Sequence, residues 1–116
     1  MNKEIKEKLK KIIKFSEENA DWVDQVIVFG EALTGDESST IRLAVEFIDN
    51  SDYENRAYNE NIYNLYGKFV GKVNDVTGGN FEVLIMNGDN LTDNTMHEVE
   101  EGRIIYGTRR DETTTE

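Results

Sequence analysis

The chain has 116 residues, enough for one compact domain with a single core and too few for two. A formal net charge of −11, no cysteine and one histidine exclude disulfides, thiolate metal sites and multi-histidine zinc sites, and they disfavour binding to nucleic acid. Because no apolar run approaches the roughly 18 residues of a transmembrane helix, we expect a cytoplasmic protein with no membrane association.

The first predicted element is an amphipathic helix from residue 3 to about residue 19, in which apolar residues recur at helical spacing. The first fourteen residues contain six lysines against two glutamates, so this segment carries a charge of +4 and the rest of the chain −15. These lysines form either a solvated helix face or a docking patch for an acidic partner.

Two strands are predicted next, separated by a polar loop over residues 30–39. The continuous apolar run at residues 26–29 predicts a strand that is buried on both faces. Residues 40–48 alternate between apolar and polar types, as in a strand whose second face is half exposed or faces a cleft. Since about ten residues without an obvious helix separate the two strands, we expect them to form a hairpin-like pair.

A long helix is predicted after the second strand, beginning at a cap formed by Ser51 or Asp52. Apolar and aromatic residues recur along it at helical spacing and form a single stripe. We interpret this stripe as part of the core rather than as a platform for a ligand. Its members are Tyr58, Ile62, Leu65, Tyr66, Phe69, Val70 and Val73.

The last predicted elements are a strand, a short helix and a fourth strand. They cover residues 81–86, residues 95–101 with Gly102 closing the helix, and residues 103–106. The predicted fold class is therefore α/β (α+β), a small mixed β-sheet packed against helices in the order α-β-β-α-β-α-β. We expect residues 1–107 to form a single domain and residues 108–116, which have nothing to bury, to form a disordered tail.

The segment VIVFGEALTGDESSTIRLAVEF, residues 26–47, carries the most specific pattern in the chain. Phe29 and Gly30 end its first strand, Gly35 follows five residues later, and Ser-Thr-Ile-Arg-Leu opens the second strand. The pattern resembles the signature of the nucleotidyltransferase superfamily related to DNA polymerase beta, which has Phe-Gly-Ser, a second glycine and Ser-Asp-x-Asp at these places. The ending EGRIIY, residues 101–106, resembles the Glu-Gly-x-x-Leu-Tyr ending of the minimal members of that superfamily.

The resemblance implies a metal site for which this sequence lacks ligands. Nucleotidyl transfer uses Mg²⁺ held by carboxylates, two of them from Asp-x-Asp and a third from a neighbouring strand. Here Thr40 and Arg42 occupy the two aspartate positions, and Glu82 is the remaining candidate ligand. Glu31 replaces the serine that lies against the triphosphate, where a carboxylate repels phosphate oxygens. We therefore expect degenerate catalytic positions (Thr40, Arg42, Glu82), a degenerate phosphate loop (Gly30, Glu31, Gly35), and no metal or other cofactor.

Arg42 introduces a permanent positive charge where several acidic residues are expected to converge. One hypothesis is that its guanidinium replaces the metal by pairing with Glu82 across the sheet and with Glu31 or Glu46 nearby. The alternative is that Arg42 points into solvent from an exposed strand. The single histidine, His97, is interpreted as a surface residue rather than a general base.

The expected function is that of a catalytically inactive nucleotidyltransferase-like domain that acts as a protein-binding or regulatory module. Minimal members of the superfamily are similar to antitoxins that pair with an all-helical protein, and some attach AMP to that partner. The resemblance thus implies a small helical protein as partner, with homo-oligomers left open. The alternative is a divergent Mg²⁺-dependent enzyme that recruits Asp36, Glu37, Glu46 and Glu82 and transfers a nucleoside monophosphate from a nucleoside triphosphate to a protein or small-molecule hydroxyl.

Overall fold

The computed structural model describes residues 3–30, 40–48, 56–87 and 92–107, with backbone alone for residues 56–59. Its elements are α1 (Lys3–Glu18), β1 (Val23–Phe29), β2 (Ile41–Phe47), α2 (Arg56–Thr77), β3 (Phe81–Ile85), α3 (Asp93–Glu100) and β4 (Arg103–Tyr106). This order confirms the predicted α+β class and the sequence α-β-β-α-β-α-β. The predicted tail at residues 108–116 lies outside the described residues.

The four strands form one mixed sheet in the order β3-β2-β1-β4. β1 is antiparallel to β2, as expected for a hairpin-like pair, and β4 is antiparallel to the other edge of β1. β2 and β3 are parallel. A parallel pair requires a long crossover, which α2 provides.

The two faces of this sheet are covered unequally. Helices α1 and α2 cover the first, which we call the α1/α2 face, and α3 covers the second, the α3 face. The core on the α1/α2 face consists of Leu9, Ile12, Val23, Val26, Val28, Ile41, Leu43, Val45, Phe47, Ile62, Phe69, Val73, Val83 and Ile85. The core on the α3 face consists of Ile27, Phe29, Ala44 and Val99. Most of the apolar burial therefore lies between the sheet and the first two helices.

Strand β1 begins at Val23, three residues before its predicted start. A register shift between Val23 and Gln25 marks a β-bulge, which places Val23 on the same face as Val26, three positions further along the chain. The strand was predicted from the continuous apolar run at residues 26–29, which the polar residues Asp24 and Gln25 separate from Val23. The run that the sequence identified, residues 26–29, is at most 1% exposed, which confirms a strand buried on both faces.

The apolar stripe of α2 faces the sheet, as predicted. Ile62, Phe69 and Val73 are buried, and Leu65, Tyr66 and Val70 pack partly buried against the same core. The side chain of Tyr58 and the predicted caps Ser51 and Asp52 lie outside the described residues. Although α2 has 22 residues, none of the described helices is both long and apolar enough to cross a membrane.

Helix α3 begins at Asp93, two residues before its predicted start, because Thr92 caps it: the Thr92 hydroxyl accepts a hydrogen bond from the backbone N–H of Thr95 at 3.2 Å. The helix ends close to the predicted point, but Gly102 has a different role from the expected one. A Cβ atom on Gly102 would lie 2.6 Å from the backbone oxygen of Val28. Gly102 is therefore required by close packing against β1 and not by a left-handed helix end.

Candidate functional site

The candidate site lies on the α3 face, where β1 ends and β2 begins. Phe29, Arg42 and Glu82 are register partners on three neighbouring strands, Phe29 with Arg42 and Arg42 with Glu82. Register partners project from the same face of a sheet, so these side chains form one row across it. The fold thus brings together Arg42 and Glu82, two of the three positions identified as degenerate catalytic residues.

The guanidinium group of Arg42 contacts three side chains. Its Nη1 donates a hydrogen bond to Oε2 of Glu98 at 2.9 Å, and its Nε lies 3.5 Å from Oε2 of Glu82. Its Cζ lies 4.7 Å from the centre of the Phe29 ring. The contact with Glu82 is an ion pair without a hydrogen bond, because the buried Nε has no hydrogen-bond partner among the described residues. We call these four residues the Arg42 cluster.

These contacts decide between the two hypotheses for Arg42. The side chain is 30% exposed and lies against Phe29 and two carboxylates, so it does not point freely into solvent. The expected pairing with Glu82 is confirmed. Glu46, the other described candidate, lies four residues further along β2, about 13 Å away along the strand. Glu31 lies outside the described residues.

Glu98 is the partner that sequence reasoning missed. It is 56 residues from Arg42 in the chain and follows His97 directly. The available signal was its position next to Val99, the apolar residue with which α3 packs on the sheet. A prediction that α3 covers this face would have placed Glu98 near the row. His97 itself is exposed, with Nε2 3.3 Å from Oε1 of Glu101, in line with its interpretation as a surface residue.

Two further positions from the motif flank the cluster. Gly30 has a φ of 92°, a backbone conformation that residues other than glycine rarely adopt. A Cβ at this position would lie 3.4 Å from Cδ of Arg42. Thr40 is exposed just before β2, with its hydroxyl 3.5 Å from Oδ1 of Asn80. Gly35, like Glu31, lies outside the described residues.

The residues of the Arg42 cluster do not fit a divalent cation. The carboxylates of Glu82 and Glu98 converge, but they converge on a guanidinium that stays protonated and has no lone pair to offer a metal. A dication placed between them would meet a positive charge only a few ångströms away. Within the described residues, no group of three or more histidine, aspartate or glutamate side chains is placed to hold a metal ion.

The carboxylates of the alternative enzyme hypothesis are not brought together either, as far as they are described. Glu46 and Glu82 project from the same face, but Glu82 is in register with Arg42 and Glu46 lies four residues further on. The offset of about 13 Å along the sheet exceeds what two carboxylates can span when each oxygen must lie about 2.0–2.6 Å from one ion. Asp36 and Glu37 lie outside the described residues.

No protein-family model matches the chain, and no curated protein matches it. The resemblance to nucleotidyltransferases therefore depends on the motif residues themselves. What the geometry adds is a half-buried cation that holds two carboxylates and an aromatic ring at the place where the motif would position its metal ligands.

Proposed function

We propose that this chain is a catalytically inactive nucleotidyltransferase-like domain that acts as a protein-binding or regulatory module. The placement of Arg42 carries the proposal. Its guanidinium lies 2.9 Å from one carboxylate and 3.5 Å from another, in the position of the second metal-binding aspartate of the motif. The acids that remain are thus neutralised by a side chain and do not need a metal ion.

A domain of this design keeps its fold without a metal. The cluster takes part in the smaller of the two cores, whereas α1 and α2 pack on the other face of the sheet. Loss of the catalytic ligands therefore leaves the main core unchanged. A binding or regulatory role needs that scaffold and its surface, and the resemblance to antitoxin-type members points to a small helical protein as partner.

The first test is binding and transfer of nucleotides. We expect calorimetric titration with MgATP and MgGTP to give no heat of binding, and incubation with Mg²⁺ and labelled nucleoside triphosphates to leave no label on the chain. Tight nucleotide binding that depends on Mg²⁺ would contradict the proposal. It would favour the divergent enzyme, which transfers a nucleoside monophosphate to a hydroxyl group.

The second test restores the missing carboxylates. In the double variant Thr40→Asp/Arg42→Asp, two carboxylates join Glu82 on adjacent strands, and we expect Mn²⁺ or Mg²⁺ binding to appear in about the millimolar range. Calorimetry and the paramagnetic signal of Mn²⁺ measure it. The control Thr40→Asn/Arg42→Asn removes the cation without adding a carboxylate and is expected to bind no metal. Equal Mn²⁺ binding by the natural chain and the aspartate variant would contradict the role assigned to Arg42.

A further inference from the structure

A groove of about 380 Å³ lies on the α1/α2 face, between the end of α1 and the outer side of α2. Its floor is aromatic: Phe15 and Trp22 meet edge to face, with their ring centres 5.8 Å apart. Its wall is formed by Gly67, Lys68, Gly71, Lys72 and Asp75 of α2, and Asn19 completes the lining. We call these eight residues the aromatic groove. It lies on the side of the sheet opposite the Arg42 cluster.

Internal hydrogen bonds hold the floor of the aromatic groove in place. The indole N–H of Trp22 donates to Oδ1 of Asn19 at 2.9 Å, and Nδ2 of Asn19 donates to the backbone oxygen of Phe15 at 2.8 Å. The Trp22 ring also stacks on Phe47 at 6.0 Å between ring centres. The polar edge of the indole is therefore satisfied, while the ring stays half-buried. Rigid aromatic side chains of this kind are frequent anchors at protein interfaces.

Two lysines and one aspartate, Lys68, Lys72 and Asp75, line the aromatic groove and leave it a net positive charge. Nζ of Lys68 lies 4.8 Å from the centre of the Trp22 ring, and Nζ of Lys72 lies 5.9 Å from that of Phe15. Neither ammonium group forms an ion pair with a carboxylate of the described residues, although the chain has 24 acidic side chains. Lys11, exposed one helical turn before Phe15, adds a third positive charge on the same side of α1. An apolar floor beside Lys68 and Lys72 offers contacts to the apolar and acidic side chains of an amphipathic partner.

The glycines of the wall leave room for a partner backbone. Gly67 and Gly71 stand one turn apart on exposed positions of α2, and a Cβ on either would have no described atom within 4 Å beyond its chain neighbours and the backbone of its own helix. Glycine in an exposed helix interior destabilises by about 1 kcal/mol relative to alanine. No contact of the described chain accounts for that loss at either position. A row of small residues along a helix permits close approach of a second helix.

We propose that the aromatic groove docks an acidic amphipathic helix of a partner protein. An apolar side chain of that helix packs against Phe15 and Trp22, its glutamates or aspartates pair with Lys68 and Lys72, and its backbone lies over the glycines of α2. This docking role rests on the proposed binding function and adds the surface and the chemistry of the partner.

Trp22 is the only tryptophan of the chain, so its fluorescence reports directly on the aromatic groove. The probe is a synthetic helical peptide with a leucine stripe flanked by glutamates, and the control peptide has a lysine in place of each glutamate. We expect the acidic peptide to shift the Trp22 emission in a saturable way and the lysine peptide to leave it unchanged. The double variant Lys68→Glu/Lys72→Glu is expected to lose about tenfold in affinity for the acidic peptide and to prefer the lysine peptide.

Two further variants separate the surfaces. Gly71→Leu adds a side chain to an open helix position, so we expect the variant to keep the circular dichroism spectrum of the parent. We expect its affinity for the acidic peptide to fall by about tenfold. Arg42→Ala alters the opposite face and is expected to leave peptide binding unchanged. No response to the acidic peptide, equal responses to both peptides, or a response that survives both groove variants would overturn the docking role. None of these results would affect the non-catalytic assignment, which the magnesium–nucleotide titrations decide.

Discussion

The two faces of the sheet differ in how many buried residues they contribute to the core. The α1/α2 face joins two helices to the sheet through fourteen buried residues and a cluster of four aromatic rings, Phe15, Trp22, Phe47 and Phe69. The α3 face has a core of four buried residues and carries the Arg42 cluster at its edge. Among the described residues, apolar burial thus lies mainly on the α1/α2 face, and we expect stability to depend mainly on that face.

The largest expected effect comes from the aromatic cluster on the α1/α2 face. Phe69 is fully buried between Phe15 and Phe47, so Phe69→Ala should lower the free energy of unfolding by about 3–5 kcal/mol. Val99→Ala removes a smaller buried side chain on the α3 face and should lower it by about 1–2 kcal/mol. Urea unfolding followed by circular dichroism measures both. Equal losses would remove the distinction between the two faces.

Two glycines, Gly102 beside β1 and Gly71 on α2, are expected to respond in opposite ways to substitution by alanine. Gly102→Ala places a methyl group 2.6 Å from the backbone oxygen of Val28 and should destabilise the protein by about 1–3 kcal/mol. Gly71→Ala is the control, because its Cβ meets open space on an exposed helix. It should stabilise the free protein by up to about 1 kcal/mol. Thermal unfolding of the two variants tests the opposite signs, and a neutral Gly102→Ala would show that β4 does not need this close approach to β1.

Removal of the Arg42 side chain tests how much the Arg42 cluster contributes to the free energy of unfolding. Arg42→Ala eliminates two half-exposed ion pairs and the contact with the Phe29 ring, and we expect a loss of about 1–2 kcal/mol that shrinks as salt is added. Arg103→Ala, at an exposed position of β4, should change the free energy of unfolding by less than about 0.5 kcal/mol. If Arg42→Ala were as stable as the parent in low salt, the guanidinium would not replace a metal in holding these acids.

The smallest expected effect concerns the helix that supplies Glu98. Thr92→Ala removes the hydroxyl that accepts a hydrogen bond from the Thr95 N–H, and should destabilise α3 by about 0.5–1 kcal/mol. Asn94→Ala, at an exposed position in the same turn, should have no unfavourable effect. Amide hydrogen exchange of α3 distinguishes the two, with faster exchange expected in the first variant. Unchanged exchange would mean that packing of Val99 holds the helix without its cap.

Much of the fold followed from local patterns in the sequence. The alternation of Ile41, Leu43, Val45 and Phe47 placed these residues on one face of β2, where they belong to the core. The pairing of Arg42 with Glu82 was also within reach, because both lie on predicted strands and both were assigned to one site. The start of β1 was not, since the prediction relied on the continuous apolar run at residues 26–29, and the polar residues Asp24 and Gln25 precede that run.

The sequence by itself determined the type and order of the elements. It could do so because apolar residues recur with a different period along a helix than along a strand, and both periods are visible in neighbouring residues. The tertiary structure decided which distant residues meet: β4 beside β1, Glu98 on Arg42, and Lys68 over Trp22. These contacts join residues tens of positions apart. The local periodicity of the sequence does not predict which glutamate or which aromatic ring will contact a given cation.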